Sequence, residues 1–439
     1  MSVQILLPDA ARWALTHGLI RMVLRREART GNPNTRFLTD PAVRADPYPH
    51  YEMLRGPQPF SAGLAGKITV HHPVATEVLR SEHLGTASFA GAPKPIRRVL
   101  KRGAGRSVIE PPSMLAVDPP VHSRYRKLVT RAFTAKAVAA LRVRTEEVAG
   151  ELLDGLARDA GRGPVDLVGR YASQLPVTVI CEILGAPVSM SEQFLTWGDA
   201  AATSLDPGMP LAQFRHAQQG IDALRDWMRG HFETLRRNPG DDVLSQLVTA
   251  ADTDGERLTE QELLATAVLV LGAGFETTVN LIGTGIQLLQ DHPEQRELLM
   301  AEPARWPGAV DEILRFDSPV QRTARRALRD TEIAGVPVRE EEIVVLLLGA
   351  ANRDPEVFAD PNRFDITREN AGKHLSFSSG VHHCLGAQLA RMEGEVALRA
   401  LTERFPELSM VGRPHRRPTS NLRGYDALSV ELGTRTAVG

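Results

Sequence analysis

Apolar positions recur at helical spacing from about residue 119 to residue 316, and strand-like alternation is confined to short patches. Those patches are Lys67–His71, Glu332–Val338 and Ile343–Leu348. The pattern predicts a mainly α protein with small β-sheets. Its longest helix begins at Thr259, where Thr259-Glu-Gln-Glu262 has the spacing of a capping box, and runs to about Asp291, where His292-Pro293 stops it. Such a helix would reach about 48 Å, enough to cross a whole domain. A further helix starts at Trp306-Pro307, and another after Pro119-Pro120. Residues 10–28 are amphipathic and carry Arg21, Arg25 and Arg26. They predict an extra helix packed on the body, with attachment to a membrane surface as the other reading. Two stretches interrupt the periodicity: residues 85–113, rich in Gly, Ala, Ser and Pro, and Ser204–Pro210. Both are predicted at the mouth of a pocket, with plain surface connections as the alternative.

Composition narrows the class. Hydrophobic residues make up 42% and charged residues 24% of 439 positions, as in an ordinary globular protein with a large core. The net charge of −1 gives no electrostatic case for nucleic acid. No run reaches the roughly 20 apolar residues of a transmembrane segment, and Pro8 and Asp9 interrupt the N-terminal apolar run too early for a signal peptide. Cys181 and Cys384 are the only cysteines, so a disulfide framework is not expected and a reducing, cytoplasmic setting is. Cys181 lies in the apolar helical run Val177–Leu184 and is expected in the core.

Cys384 is different. It sits in Phe377-Ser-Ser-Gly380-Val-His382-His383-Cys384-Leu-Gly386, which leads into Ala387-Gln-Leu-Ala-Arg391. A helix N-terminus lowers a thiol's pKa, and the thiolate is the form that binds metals. Gly380 and Gly386 let the backbone turn sharply and lie close to a flat ligand, and Phe377 can pack over the same place. The plain alternative is a buried cysteine opening an ordinary helix.

The segment resembles the haem-thiolate loop of the cytochrome P450 family. That resemblance implies that Cys384 is the axial ligand of a haem iron, the thiolate pushing electron density toward the metal. Midway along the long helix, Leu271-Gly-Ala273-Gly274-Phe-Glu276-Thr277-Thr278 is similar to the family's acid–alcohol motif, with Glu where Asp is equally familiar. Ala273 and Thr277 share a face one turn apart, so a small residue faces a hydroxyl, and the carboxylate of Glu276 is expected to relay protons through water. Close helix packing is the bland reading of Gly272 and Gly274 alone. Glu312-Ile-Leu-Arg315 matches the family's Glu-x-x-Arg pair, which a second arginine joins; Arg363 in Asp360-Pro-Asn-Arg-Phe364 is the matching candidate.

The family's propionate contacts carry over to His122, Arg126, Arg325 and His382; Arg322 and Arg326 flank the third of these. His122 and Arg126 lie one turn apart on a predicted helix, where a solvated basic stripe is the other reading. The family's layout also implies pocket walls at Phe89, Val270, Ala273, Val320, Leu422 and Tyr425. One departure stands out: Ser378 occupies a place where many members carry glycine.

The resemblance runs from about residue 36 to the C-terminus, which implies an N-terminal extension over 1–35 and one oxygenase domain over 36–439. It implies haem b, O₂, an apolar small-molecule substrate, and insertion of one oxygen atom by hydroxylation or epoxidation. No convincing dinucleotide fingerprint is present, so electrons from NAD(P)H are expected through a separate ferredoxin and its reductase. A docking face for them is expected near Arg124, Lys127 and Arg131. The rivals are a haem-thiolate sensing protein without turnover and a peroxide-driven or nitric-oxide-reducing member of the family.

Overall fold

The capping box at Thr259 forms as the spacing predicts. Thr259 Oγ1 accepts from the Glu262 amide at 3.3 Å, and a Glu262 carboxylate oxygen accepts from the Thr259 amide at 2.8 Å. From this cap the helix Glu260–Asp291 runs through the centre of the molecule, and every residue from 278 to 289 is buried. The computed structural model describes residues 9–64, 66–88, 110–130, 133–249 and 257–433. Helices Gln174–Ile183, Leu211–Arg237, Trp306–Phe316 and Ala387–Arg404 pack around the central one. The central helix is apolar and long enough to cross a membrane by composition, but its apolar surface is spent on these neighbours. Gly285 lets the packing close, because a Cβ there would meet Leu398 Cδ1 at 2.6 Å. Cys181 is fully buried in the same core, and burial pushes its thiol up to about 11.

A five-stranded sheet covers one side. Its strands are β1 (Ser61–Gly63), β2 (Gly66–Thr69), β3 (Leu84–Thr86), β4 (Arg322–Ala327) and β5 (Ile343–Leu347), ordered β1-β2-β5-β4-β3. Only the β2–β5 pair is parallel. The patches at 67–71 and 343–348 fall on β2 and β5, and the patch at 332–338 forms a small hairpin, Thr331–Ile333 with Val336–Val338. Strand β4 reads Arg-Thr-Ala-Arg-Arg-Ala and has no apolar alternation, so periodicity does not reveal it. Its pairing on both edges makes it a strand and sets Arg325 opposite Thr86 and Val344.

The N-terminal segment is helical over Asp9–Trp13, passes through a π turn at Ala14–Gly18 and continues as Leu19–Thr30. It packs on the body: Trp13 Nε1 donates to the Met209 carbonyl at 2.9 Å, and the His17 and Phe214 rings lie 5.5 Å apart. The stretch at Ser204–Pro210 does break two helices, as its prolines and glycine suggest.

Candidate active site

The cysteine loop is tight and braced. The Cys384 amide donates to the Phe377 carbonyl at 2.8 Å, and the helix Ala387–Arg404 begins three residues after the thiol. Gly380 has φ +69°, and a Cβ there would lie 2.3 Å from the Leu79 carbonyl oxygen, so no side chain fits. Gly386 has an ordinary backbone and open space around its Cα. Cys384 is solvent-accessible at its edge, yet partial burial pushes its thiol up. The Gly386 amide, Arg126 and Arg391 pull the other way, toward the thiolate.

Behind the loop lies a buried clamp. Arg315 donates to both carboxylate oxygens of Glu312 at 2.6 and 2.8 Å, with both side chains fully buried. Arg315 also donates to the carbonyls of Asn352, Pro361 and Arg363 at 3.0, 2.9 and 3.2 Å. Asn352 carries the connection onward, accepting from the Leu375 amide at 2.6 Å and donating to Ser376 Oγ at 2.8 Å. Asp311 supplies a second brace: it accepts from Arg391 at 2.7 Å and meets His374 at 3.3 Å. Arg391 in turn lies 4.7 Å over the Phe377 ring. The residues just before the loop and just after Cys384 are therefore tied to one helix, Trp306–Phe316.

Beside the loop a group of basic side chains converges with a single described carboxylate among them. The His122 and His382 rings stand 4.3 Å apart, and His382 Nε2 has no hydrogen-bond partner among the described residues, with Asp118 3.8 Å away. Burial, then His382 and Arg126, push His122 down to about 4. Arg325 is buried too; among the described residues its guanidinium donates only to Thr323 Oγ1 and the Ala324 carbonyl, and burial pushes it down to about 10. Burial works to raise Asp118, but His382 and the Thr86 amide hold it below the usual range. Buried cations crowded in this way favour an anionic ligand.

On the central helix, Ala273 is exposed between half-buried Gly272 and Gly274, and Thr277 Oγ1 donates to the Ala273 carbonyl at 3.1 Å. Glu276 does not share this opening. Its carboxylate is buried and ion-paired with Arg417, which also holds Asp199 at 3.0 Å and Asp426 at 3.5 Å. Burial raises the Glu276 carboxyl, and Arg417 opposes the rise. The expected water-relaying carboxylate is thus an arginine-clamped one.

The cytochrome P450 family model matches residues 106–306 and 307–422. The chain belongs to the cytochrome P450 family. It is 49% identical to cytochrome P450 140 of Mycobacterium tuberculosis over 430 residues, 97% of this chain and 98% of that protein. It is 41% identical to 6-deoxyerythronolide B hydroxylase of Saccharopolyspora erythraea over 348 residues, covering 79% of this chain and 81% of the hydroxylase. A solved structure of P450BioI, in complex with an acyl carrier protein ligated to hexadec-9Z-enoic acid, overlays with a TM-score of 0.81 at 31% identity, covering 89% and 99% of the two chains. The protein is a P450 monooxygenase that uses haem, O₂ and redox partners, as the family does.

The residues present fit that haem. An accessible thiol toward which Arg126 and Arg391 exert their charge stands two residues from His382, whose buried Nε2 lacks a partner, and the convergent His122 and Arg325 suit carboxylates. Two P450 positions need correction. Arg363 is exposed and gives Arg315 only its carbonyl; the arginine on Glu312 is Arg368, at 3.3 Å. Arg368 lies five residues later, beyond the expected motif, where the turn at Asp365–Arg368 folds it back. Tyr425 is packed in the main core, 4.0 Å beneath the Arg416 guanidinium and beside Gly283, so it is no pocket wall. Val320 and Leu422 are joined by an antiparallel bridge, and Val270 lies one turn before Ala273. Phe89 and Arg131 lie outside the described residues. Arg417, Asp118, Arg368 and Arg391 are the site residues that motif spacing missed; Asp118, directly before Pro119-Pro120, and Arg391, at the end of the cysteine segment, stood within reach.

Proposed function

We propose that this protein binds haem b through Cys384 and inserts one atom of O₂ into an apolar organic substrate, with electrons from a separate ferredoxin and its reductase. The observation that carries this reading is the accessible thiol on a loop braced from both sides, next to buried His122 and Arg325 and the enclosed Nε2 of His382. Haem, when bound, supplies the redox chemistry that activates dioxygen. The chain's own residues do the rest. Arg126 and Arg391 favour the Cys384 thiolate, while His122, Arg126, Arg325 and His382 hold the propionates. Glu312, Arg315 and Arg368 keep the loop in place.

Thr277 holds a hydroxyl at the exposed edge of the central helix, and its bond to the Ala273 carbonyl orients that hydroxyl. Glu276 and Arg417 form a hydrogen-bonded route from that helix toward Asp199, which is exposed. The guanidinium keeps its own protons, so a proton moves only when the Glu276 carboxylate takes it up and exchanges Arg417 for another partner. An apolar substrate is supported by Val270, Ala273, Val320 and Leu422, and by relatives named as hydroxylases of 6-deoxyerythronolide B and vitamin D(3). Residues 36–439 form the oxygenase domain, with 1–35 as its appendage, and the setting is cytoplasmic. The test is Cys384→Ser: the reduced CO complex should lose its thiolate-type Soret band. An unchanged spectrum would overturn the ligand assignment.

A further inference from the structure

The helix Leu19–Thr30 has two faces with different fates. One is docked: Leu24 is buried, Arg21 donates to the Gly208 carbonyl at 3.0 Å, and a Cβ on Gly208 would meet Leu24 Cδ1 at 3.0 Å. The other carries Leu19, Met22 and Val23, which are 59%, 62% and 37% exposed, with Arg26 one turn further on. Leu15 is exposed just before it and Ile20 at the edge toward Leu24, so five of the fifteen large exposed hydrophobics among the described residues fall within nine positions. Isolated exposed leucines are normal, but such a cluster on one face is not.

The charges bordering that face have one sign. Arg25, Arg26 and Arg29 are exposed and have no carboxylate partner among the described residues, whereas Glu27 is turned to Asn32 at 2.5 Å. Arg12 is engaged by Glu110 on the body side. An apolar stripe edged by free arginines is complementary to a surface that is itself apolar within and anionic at its edge. We propose that this face binds an anionic lipid surface, with the helix lying in the plane of the headgroups.

The docking contacts give that placement a consequence. Trp13 and Arg21 hold the helix against Gly208 and Met209, in the break between the helices Ser191–Ala202 and Leu211–Arg237. A protein seated on lipid through Leu19, Met22 and Val23 would carry this break next to the bilayer, where apolar compounds accumulate.

The test is sedimentation of the full-length holoprotein with vesicles of phosphatidylcholine alone and of phosphatidylcholine with phosphatidylglycerol. Binding is expected to the anionic vesicles and to fall with added salt. Arg25→Gln, Arg26→Gln and Arg29→Gln together should weaken it on the order of a hundredfold, at about fivefold per arginine. Leu19→Ser, Met22→Ser and Val23→Ser together should weaken it at least about tenfold. The single Met22→Ser variant keeps the test usable if the triple variant loses its haem spectrum, and should weaken binding severalfold. The proposal is overturned if the wild type stays in the supernatant with anionic vesicles, or if the serine variants sediment as well as the wild type. It is equally overturned if light scattering finds a dimer, made monomeric by the serine substitutions, that ignores vesicles.

Discussion

Ser378 is the residue whose replacement the geometry prices most directly. It has φ +61°, in the left-handed region that costs a residue with a Cβ about 1–2 kcal/mol. Its Oγ is enclosed and has no partner among the described residues, which adds about 1–3 kcal/mol. Ser378→Gly removes both burdens and returns about 0.5–1 kcal/mol to the flexibility of the unfolded chain. The net expectation is a gain of about 1–4 kcal/mol. In a chain of 439 residues the entropy of unfolding is large, so each kcal/mol moves the melting midpoint by only about 1 °C. Scanning calorimetry of the holoprotein should therefore find a rise of about 1–4 °C, with the Soret band of the reduced CO complex unchanged. Ser378→Ala separates the two causes, since it removes the hydroxyl and keeps the backbone cost. A fall in the midpoint of the glycine variant would refute the reasoning, because it would mean that the serine holds the loop rather than straining it.

Other outcomes follow from the same geometry. Arg368→Gln should lower stability by about 2–3 kcal/mol and reduce haem retention, because it uncovers a fully buried Glu312; Arg363→Gln should stay within about 0.5 kcal/mol, and equal effects in urea titrations would restore Arg363 to the clamp. Arg417→Gln leaves the Glu276 carboxylate buried without its cation, so its already raised pKa rises further. A raised acid is destabilising in its charged form, so the variant should lose more stability at high pH than at low pH. The acid limb of product formed per NAD(P)H should also move to higher pH, and a profile superimposable on the wild type would remove Arg417 from the proton route.

Much of this protein is legible along the chain because its signals are local. The capping box at Thr259, the start at Trp306-Pro307 and the Glu312–Arg315 pair each lie within one or two helical turns, and each forms where the spacing puts it. The Cys384 loop is local too, with Gly380 making its turn at φ +69°, although the Leu79 carbonyl that leaves no room for a side chain there comes from far along the chain. Strand β4 is not, because Arg322–Ala327 becomes a strand through neighbours on both sides and not through its own alternation. The same holds for the partners of charge. Arg417 meets Glu276 across 141 positions, Arg391 meets Asp311 across 80, and Arg368 reaches back over 56 to displace the arginine that motif spacing nominates. Spacing says which side chains share a turn. Which buried charge finds which distant partner depends on how the helices pack, since a carboxylate removed from water takes whatever cation the packing brings within reach.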